Sequence, residues 1–409
     1  MNRRTIARIA GVLFAGVLLP VTALAQKKVE LWHVFNLESD MIHGAIKNWN
    51  SRNAQVQIEA RVLPLAQLNA EFTKAIASGA VPDAILFGGE AMAAFSSQGA
   101  FEDITDLVKS SSIRFGDYYA GPRAAGMWGG KIYGLPRAVN TLALYYNADM
   151  LSAKGLKVPT TWSEFSAAAA TLTDPGKVFG ASFSAVQSEE GTFQYLPWLY
   201  QAGGSPDKLD SPEARSALQL WVDLVQKGHA SKDVVTMRQY EATNTFIAGN
   251  AAMVVGGPWE LPRIDKDAKF KWGVALLPVH DTKKLRASSL GDFMLAIPKG
   301  ARNKADAFKV IEYMQSDEVM STAWDTGRMP PRDGIKANSQ KFPEALAVFQ
   351  EQMKYAKVRG PHPQWPEISR PIQLAIQEAL TGKASVNDAL NKAAGSLAPI
   401  FAKTPLPQQ

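Results

Sequence analysis

Val29–Val34 reads VELWHV, a short run of β-forming residues, and the pattern downstream of it sets the architecture. Met41, Ile42, Ala45, Ile46 and Trp49 recur at helical spacing, with Ser39 placed as an N-cap and Asp40 in the first turn. Val56–Val62 (VQIEARV) alternates with period two. Leu68–Ala77 returns to helical periodicity and breaks at Gly79; Ala84–Phe87 is a short buried strand; Met92–Phe95 opens a helix that ends near Gly99. Strand, helix, strand, helix, strand predicts an α/β fold with a mainly parallel sheet packed between helices.

Toward the C-terminus the same alternation continues. Lys131–Leu135, Thr141–Tyr146, Ala251–Val255 and Phe293–Ile297 read as strands. Ala148–Ala153, Trp162–Leu172, Ala214–Lys227, Lys304–Met314, Ile368–Leu380 and Val386–Leu397 read as helices. A chain of 409 residues is long enough for two domains. No proline-rich linker separates two clean halves, so the chain is expected to pass between two lobes more than once.

Toward the N-terminus, Arg3, Arg4 and Arg8 precede an apolar run from Ile9 to Leu19, and Ala23-Leu24-Ala25 ends it. Basic head, short greasy middle and A-x-A end are the parts of a cleavable secretory signal, so residues 1–25 are expected to be removed before Gln26. The greasy run is too short for a bilayer core of about 30 Å, and no stable membrane insertion is expected. The sequence has no cysteine, which excludes a lipid-bearing cysteine after the signal, disulfides and a thiol nucleophile. A freely diffusing monomer in the periplasm is the resulting expectation.

The formal net charge is +6, and the three signal arginines account for half of it. The remaining charges are interspersed. A nucleic-acid partner calls for clustered positive charge, which is missing here. His33, His43, His229, His280 and His362 show no zinc spacing, and there is no G-x-S-x-G elbow, Walker loop or dinucleotide fingerprint. No metal or cofactor is expected. Two carboxylates such as Glu38 and Glu90 keep one catalytic alternative open, a secreted glycoside-cleaving enzyme.

Several blocks, in order, carry a resemblance: Leu31-Trp32-His33 before Asn36-Leu37-Glu38; Val81-Pro82-Asp83-Ala84-Ile85; Lys131-Ile132-Tyr133-Gly134-Leu135-Pro136 before Leu144-Tyr145-Tyr146-Asn147; Ala252-Met253-Val254 before Gly257-Pro258-Trp259; Gly291-Asp292 before Ala296-Ile297-Pro298; and Pro366-Glu367-Ile368 with Gly382-Lys383. The chain resembles the extracellular solute-binding proteins that include the periplasmic maltose-binding and glycerol-3-phosphate-binding proteins. The resemblance implies a type II periplasmic-binding-protein architecture: two α/β lobes, three hinge crossings and a ligand cleft between the lobes. It places the crossings near Val139–Thr141, Trp272–Val274 and Gln315–Val319. The N-terminal lobe then spans 27–139 plus 274–315, and the C-terminal lobe 142–271 plus 319–409. It also implies capture of a small saccharide or polyol for the membrane permease of an ABC importer.

A sugar needs flat aromatic plates for its C–H faces and charged or amide partners for its hydroxyls. In α/β sheets such sites lie beyond the carboxyl ends of strands. Trp259, just after the turn Gly256-Gly257-Pro258, is placed as a plate rather than a core residue, whereas Trp32 and Trp324 read as core. The family pattern adds His33, Asn36, Glu38, Glu90, Asn140, Gly291 and Asp292. Phe193 and Gln194, with Thr192, sit in a stretch read as a loop of the second lobe. Arg332, Arg359 and Arg370 suit either hydroxyls or an anionic group, since a guanidinium forks carboxylates and phosphates. Compared with maltodextrin binders, Asn140 replaces an acid and Ser369-Arg370 replaces aromatics. That leaves a second ligand class open: an anionic solute such as a glycerol phosphate or an acidic or sulfonated sugar.

Overall fold

The computed structural model describes residues 26–35, 41–337 and 341–407. Among them eight strands are longer than two residues: β1 (Lys27–His33), β2 (Val56–Val62), β3 (Ala84–Gly88), β4 (Gly134–Asn140), β5 (Ala143–Asn147), β6 (Met253–Gly256), β7 (Trp272–Ala275) and β8 (Gly291–Ala296). The helices that shape the site are α1 (Met41–Arg52), α2 (Leu68–Ser78), α3 (Gly89–Ser97), α4 (Glu189–Gln201), α5 (Lys304–Met314), α6 (Asp317–Asp325) and α7 (Trp365–Leu380). The signal segment and the cap at Ser39 and Asp40 lie outside the described residues.

The first sheet has the order β2-β1-β3-β8-β4 and the second the order β6-β5-β7. β1 runs parallel to β2 and β3, while β8 runs antiparallel to β3 and β4. Both pairings of β5 are antiparallel. Phe179 and Ser182 add parallel bridges along β6. Four strands of the first sheet therefore run the same way, and β8, arriving late in the chain, alone runs back between β3 and β4.

Both faces of the first sheet are covered, which is why β3 reads as an unbroken apolar run, AILFG, buried at every position. Val29, Leu31, Leu86 and Leu295 pack with Ile42 and Ile311 on one face. Trp32, Phe87 and Met294 pack with Phe72 and Met92 on the other. In the second sheet Leu144 and Val255 join Trp198, Trp221 and Trp365, whereas Tyr145 and Val254 join Phe246 and Phe349. Each fully buried side chain of this size contributes about 1.5–3 kcal/mol.

The chain passes from the first sheet to the second between Asn140 and Ala143. The return differs from the expected place. Val274 pairs with Tyr145, so β7 belongs to the second sheet and the return falls between Ala275 and Gly291. The third passage also comes later than Gln315–Val319. Ala323 of α6 lies in the core of the first sheet, Arg137 donates to the Val319 carbonyl, and Met329 exchanges backbone hydrogen bonds with Val139. Pairing with a strand far away in sequence decides both boundaries, and no local signal marks it.

Candidate functional site

Two glycines let two carboxylates meet. β3 ends at Gly88, and α3 starts at Gly89 with Glu90 in its first turn, where the helix dipole favours an acid. A Cβ at Gly88 would collide with the Glu90 carboxylate, and one at Gly89 with that of Asp292 on β8. On the other side of β8, Gly291 pairs with Asn140, and a Cβ there would collide with the Asn140 side chain. Glu90, Asp292 and Asn140 thus come from adjacent strand ends of the first sheet.

Arg359, from the loop ahead of α7, reaches this group from the second half. Its Nη2 donates to Glu90 Oε2 at 3.3 Å and its Nη1 to Glu189 Oε1 at 2.7 Å. Glu189, in the first turn of α4, also accepts from Trp365 Nε1 at 3.1 Å and Ser369 Oγ at 2.5 Å. Ser369 and Thr192 share a further hydrogen bond of 2.7 Å. The guanidinium lies over the Phe193 ring, 4.7 Å from its centroid, and Phe193 is 6.3 Å from the ring of Trp259. The two rings and the charged cluster are therefore contiguous.

Burial dominates the electrostatics. It raises the Glu90 carboxyl, with Arg359 opposing and Glu189 adding to the rise. It pushes Asp292 up to about 7, against Arg359 and with help from Glu90. Burial also works against the charge of Arg359, but Glu90, Glu189 and Asp292 outweigh it and hold the guanidinium charged. Two polar atoms here are buried without a hydrogen-bond partner among the described residues: Asp292 Oδ2, an acceptor, and Arg359 Nε, a donor.

A second group adjoins at Trp259. Its Nε1 donates to Glu260 Oε1 at 3.0 Å, and Glu260 pairs with Arg263. Burial pushes Glu260 up to about 7 despite Arg263, the Trp259 hydrogen bond and Arg328. Arg328 lies over Phe35, 4.5 Å from its centroid, so the end of the first-sheet segment faces the Trp259 turn.

The structure gathers Glu90, Asn140, Phe193, Trp259, Gly291, Asp292 and Arg359 of the expected residues. Phe193 and Gln194 sit on α4 rather than on a loop. Gln194 is buried, donates to Gln239 Oε1 and the Val255 carbonyl, and its Oε1 has no partner among the described residues. His33 does not join the cluster. It is buried at the end of β1, accepts from Phe35 N–H at 3.3 Å and meets His43 edge-on at 5.2 Å. Burial, then His43, lowers it to about 4.

Arg332 is held by Asp317 at a separate cavity of about 230 Å³, lined also by Tyr118 and Gln315. Arg370 is exposed on α7, while its neighbour Ser369 faces inward. Asn36 and Glu38 lie outside the described residues. Trp32 and Trp324 are packed into apolar clusters, as expected. The residue that sequence reasoning missed is Glu189. Its signal was present: Ser188, an N-cap, followed by two acids.

A profile of the family described as bacterial extracellular solute-binding protein matches residues 37–321. The chain belongs to that family. Similar solved structures agree in fold. An ABC transporter solute-binding protein of Thermotoga lettingae, bound with alpha-D-tagatose, is 27% identical with a TM-score of 0.82, over 92% of this chain and 100% of that one. Maltose-bound MalE3 of T. maritima is 24% identical with a TM-score of 0.84, over 91% and 99%. The galactooligosaccharide-binding protein of Bacillus subtilis is 24% identical, over 78% of this solute-binding protein and 76% of the relative. No helix among the described residues of this solute-binding protein is long and apolar enough to cross a membrane.

Proposed function

We propose that this solute-binding protein captures a small saccharide or polyol between two lobes and presents it to the permease of an ABC importer. One lobe is built on the five-stranded sheet, the other on the three-stranded sheet, and the three passages between them act as hinges. The observation that carries the reading is the pair of unmet polar atoms, Asp292 Oδ2 and Arg359 Nε, beside the Phe193 and Trp259 rings. A sugar hydroxyl both donates and accepts, and its ring offers an apolar face. It meets all three needs at once.

An anionic solute fits less well. Arg359 is already engaged by three carboxylates, Arg332 by Asp317, and Arg370 faces solvent. The ligands in the relatives' names, tagatose and galactooligosaccharide, support a sugar. In this reading the protein is a monomer that works outside the cytoplasm after loss of residues 1–25, and it leaves its solute chemically unchanged.

A thermal-shift screen of neutral sugars, polyols and acidic sugars tests this. A ligand that binds only the folded protein raises its melting point. A shift from neutral sugars is expected. A shift from acidic sugars or glycerol phosphates alone would replace the reading with the anionic one.

A further inference from the structure

Three carboxylates face one guanidinium at the centre of the cleft. Glu90, Glu189 and Asp292 all act on Arg359. Among the described residues, the side-chain charges acting on Asp292 are Arg359 and Glu90, and those acting on Glu90 are Arg359 and Glu189. Glu189 is tied to Arg359, Trp365 and Ser369. Glu90 has one guanidinium hydrogen bond of 3.3 Å. Asp292 is 5% exposed, with one oxygen left without a partner among the described residues. Negative charge on buried Asp292 and the mostly buried Glu90, beyond what one guanidinium offsets, is costly unless a proton or a cation answers it.

We propose that the solute carries a basic nitrogen, as an amino sugar or an amino-bearing oligosaccharide does, and that its ammonium is held by Asp292 and Glu90. This rests on the saccharide reading and narrows it. A hydroxyl satisfies the orphaned Asp292 oxygen alone. An ammonium satisfies that oxygen and offsets the surplus charge, and a charge-assisted hydrogen bond is roughly twice as strong as a neutral one. A ring oxygen or hydroxyl of the same solute is left for Arg359 Nε. Burial is the first cause of the upward displacement of both Glu90 and Asp292, a neighbouring carboxylate adds to each, and one guanidinium does not overcome them.

The test is isothermal titration of matched pairs at pH 7, where sugar amines are largely protonated: glucose with glucosamine, galactose with galactosamine, mannose with mannosamine, and β-1,4-linked disaccharides with and without amines. In the pairs that bind, the amine is expected to bind about tenfold tighter or more. Asp292→Asn keeps the shape and removes the charge, and it is expected to reduce that preference to about threefold or less. Neutral members binding as tightly as their amines would overturn the proposal, as would an undiminished preference in folded D292N. If D292N does not fold, the wild-type pairs decide alone. A panel in which no sugar binds, neutral or basic, overturns the saccharide reading itself.

Discussion

Arg359 Nη2 lies 3.3 Å from Glu90 Oε2, and this contact joins the two halves of the molecule. Glu90 stands at the start of the helix after β3. Arg359 is anchored on the other side by Glu189, at the start of α4. Replacing Arg359 with Leu leaves buried Asp292 and the partly buried Glu90 and Glu189 without their cation. Removing one partner of a buried ion pair costs about 3–5 kcal/mol. Urea unfolding of R359L at pH 7 is expected to show a loss of that order, smaller at pH 5, where Asp292, raised to about 7, holds its proton. A variant as stable as the wild type at pH 7 would mean that Arg359 does not hold this cluster.

Trp259 and Phe193 are assigned as plates for a sugar face. Trp259→Ala is expected to weaken binding of the best sugar from a thermal-shift screen by about 10–100-fold, the loss of a large aromatic contact. Calorimetric titration reads it directly. Affinity within twofold of wild type would remove Trp259 from the site.

The carboxyl of Asp292 is raised from 3.8 to about 7, first by burial. The folded protein therefore holds a proton that the unfolded chain has released between about pH 4 and 7. Stability from this group is fully present below about pH 4 and is lost as pH rises toward 7. Other carboxylates run the opposite way, so the difference between D292N and wild type isolates the effect. The asparagine variant is expected to gain on the wild type steadily from pH 4.5 to 7.5, followed by denaturant unfolding. A difference flat with pH would contradict the assignment.

The two glycines make a paired prediction. Gly89→Ala is expected to displace the Asp292 carboxylate and reduce sugar affinity at least tenfold, because its Cβ collides with that side chain. Gly44, in α1, has nothing within 4 Å of an added Cβ. Gly44→Ala is expected to leave affinity alone and to stabilise the protein by about 0.5–1 kcal/mol. Equal effects of the two substitutions on binding would contradict the placement of Asp292.

Much of this was legible locally. The helices at Ala148–Ala153 and Trp162–Leu172 begin where Asn147 and Thr161 cap them, and the Thr161–Glu164 capping box is readable from spacing alone. Trp259, expected after the glycine turn, lies in a helical turn at Pro258–Glu260, partly buried against the apolar core. What escaped depends on non-local contact. The helix α4 carries Gly191 and Pro197 within an aromatic run, which hides its periodicity despite the cap at Ser188. With it went Glu189, whose partners lie far along the chain. Arg332 drew attention through the rigid Pro330-Pro331 turn, yet its charge is taken by Asp317, on α6. The crossing expected near Trp272–Val274 falls later, because only pairing with Tyr145 and its neighbours decides where β7 belongs.

The unmatched atoms of Asp292 and Arg359 are assigned to receive a sugar, and the rest of the site depends on that assignment. A crystal structure of the protein with whichever sugar raises its melting temperature most tests it directly. A ligand donor is expected within about 3 Å of Asp292 Oδ2, with an acceptor at Arg359 Nε and the sugar ring against Trp259. A sugar seated elsewhere, with Asp292 Oδ2 untouched, would contradict it.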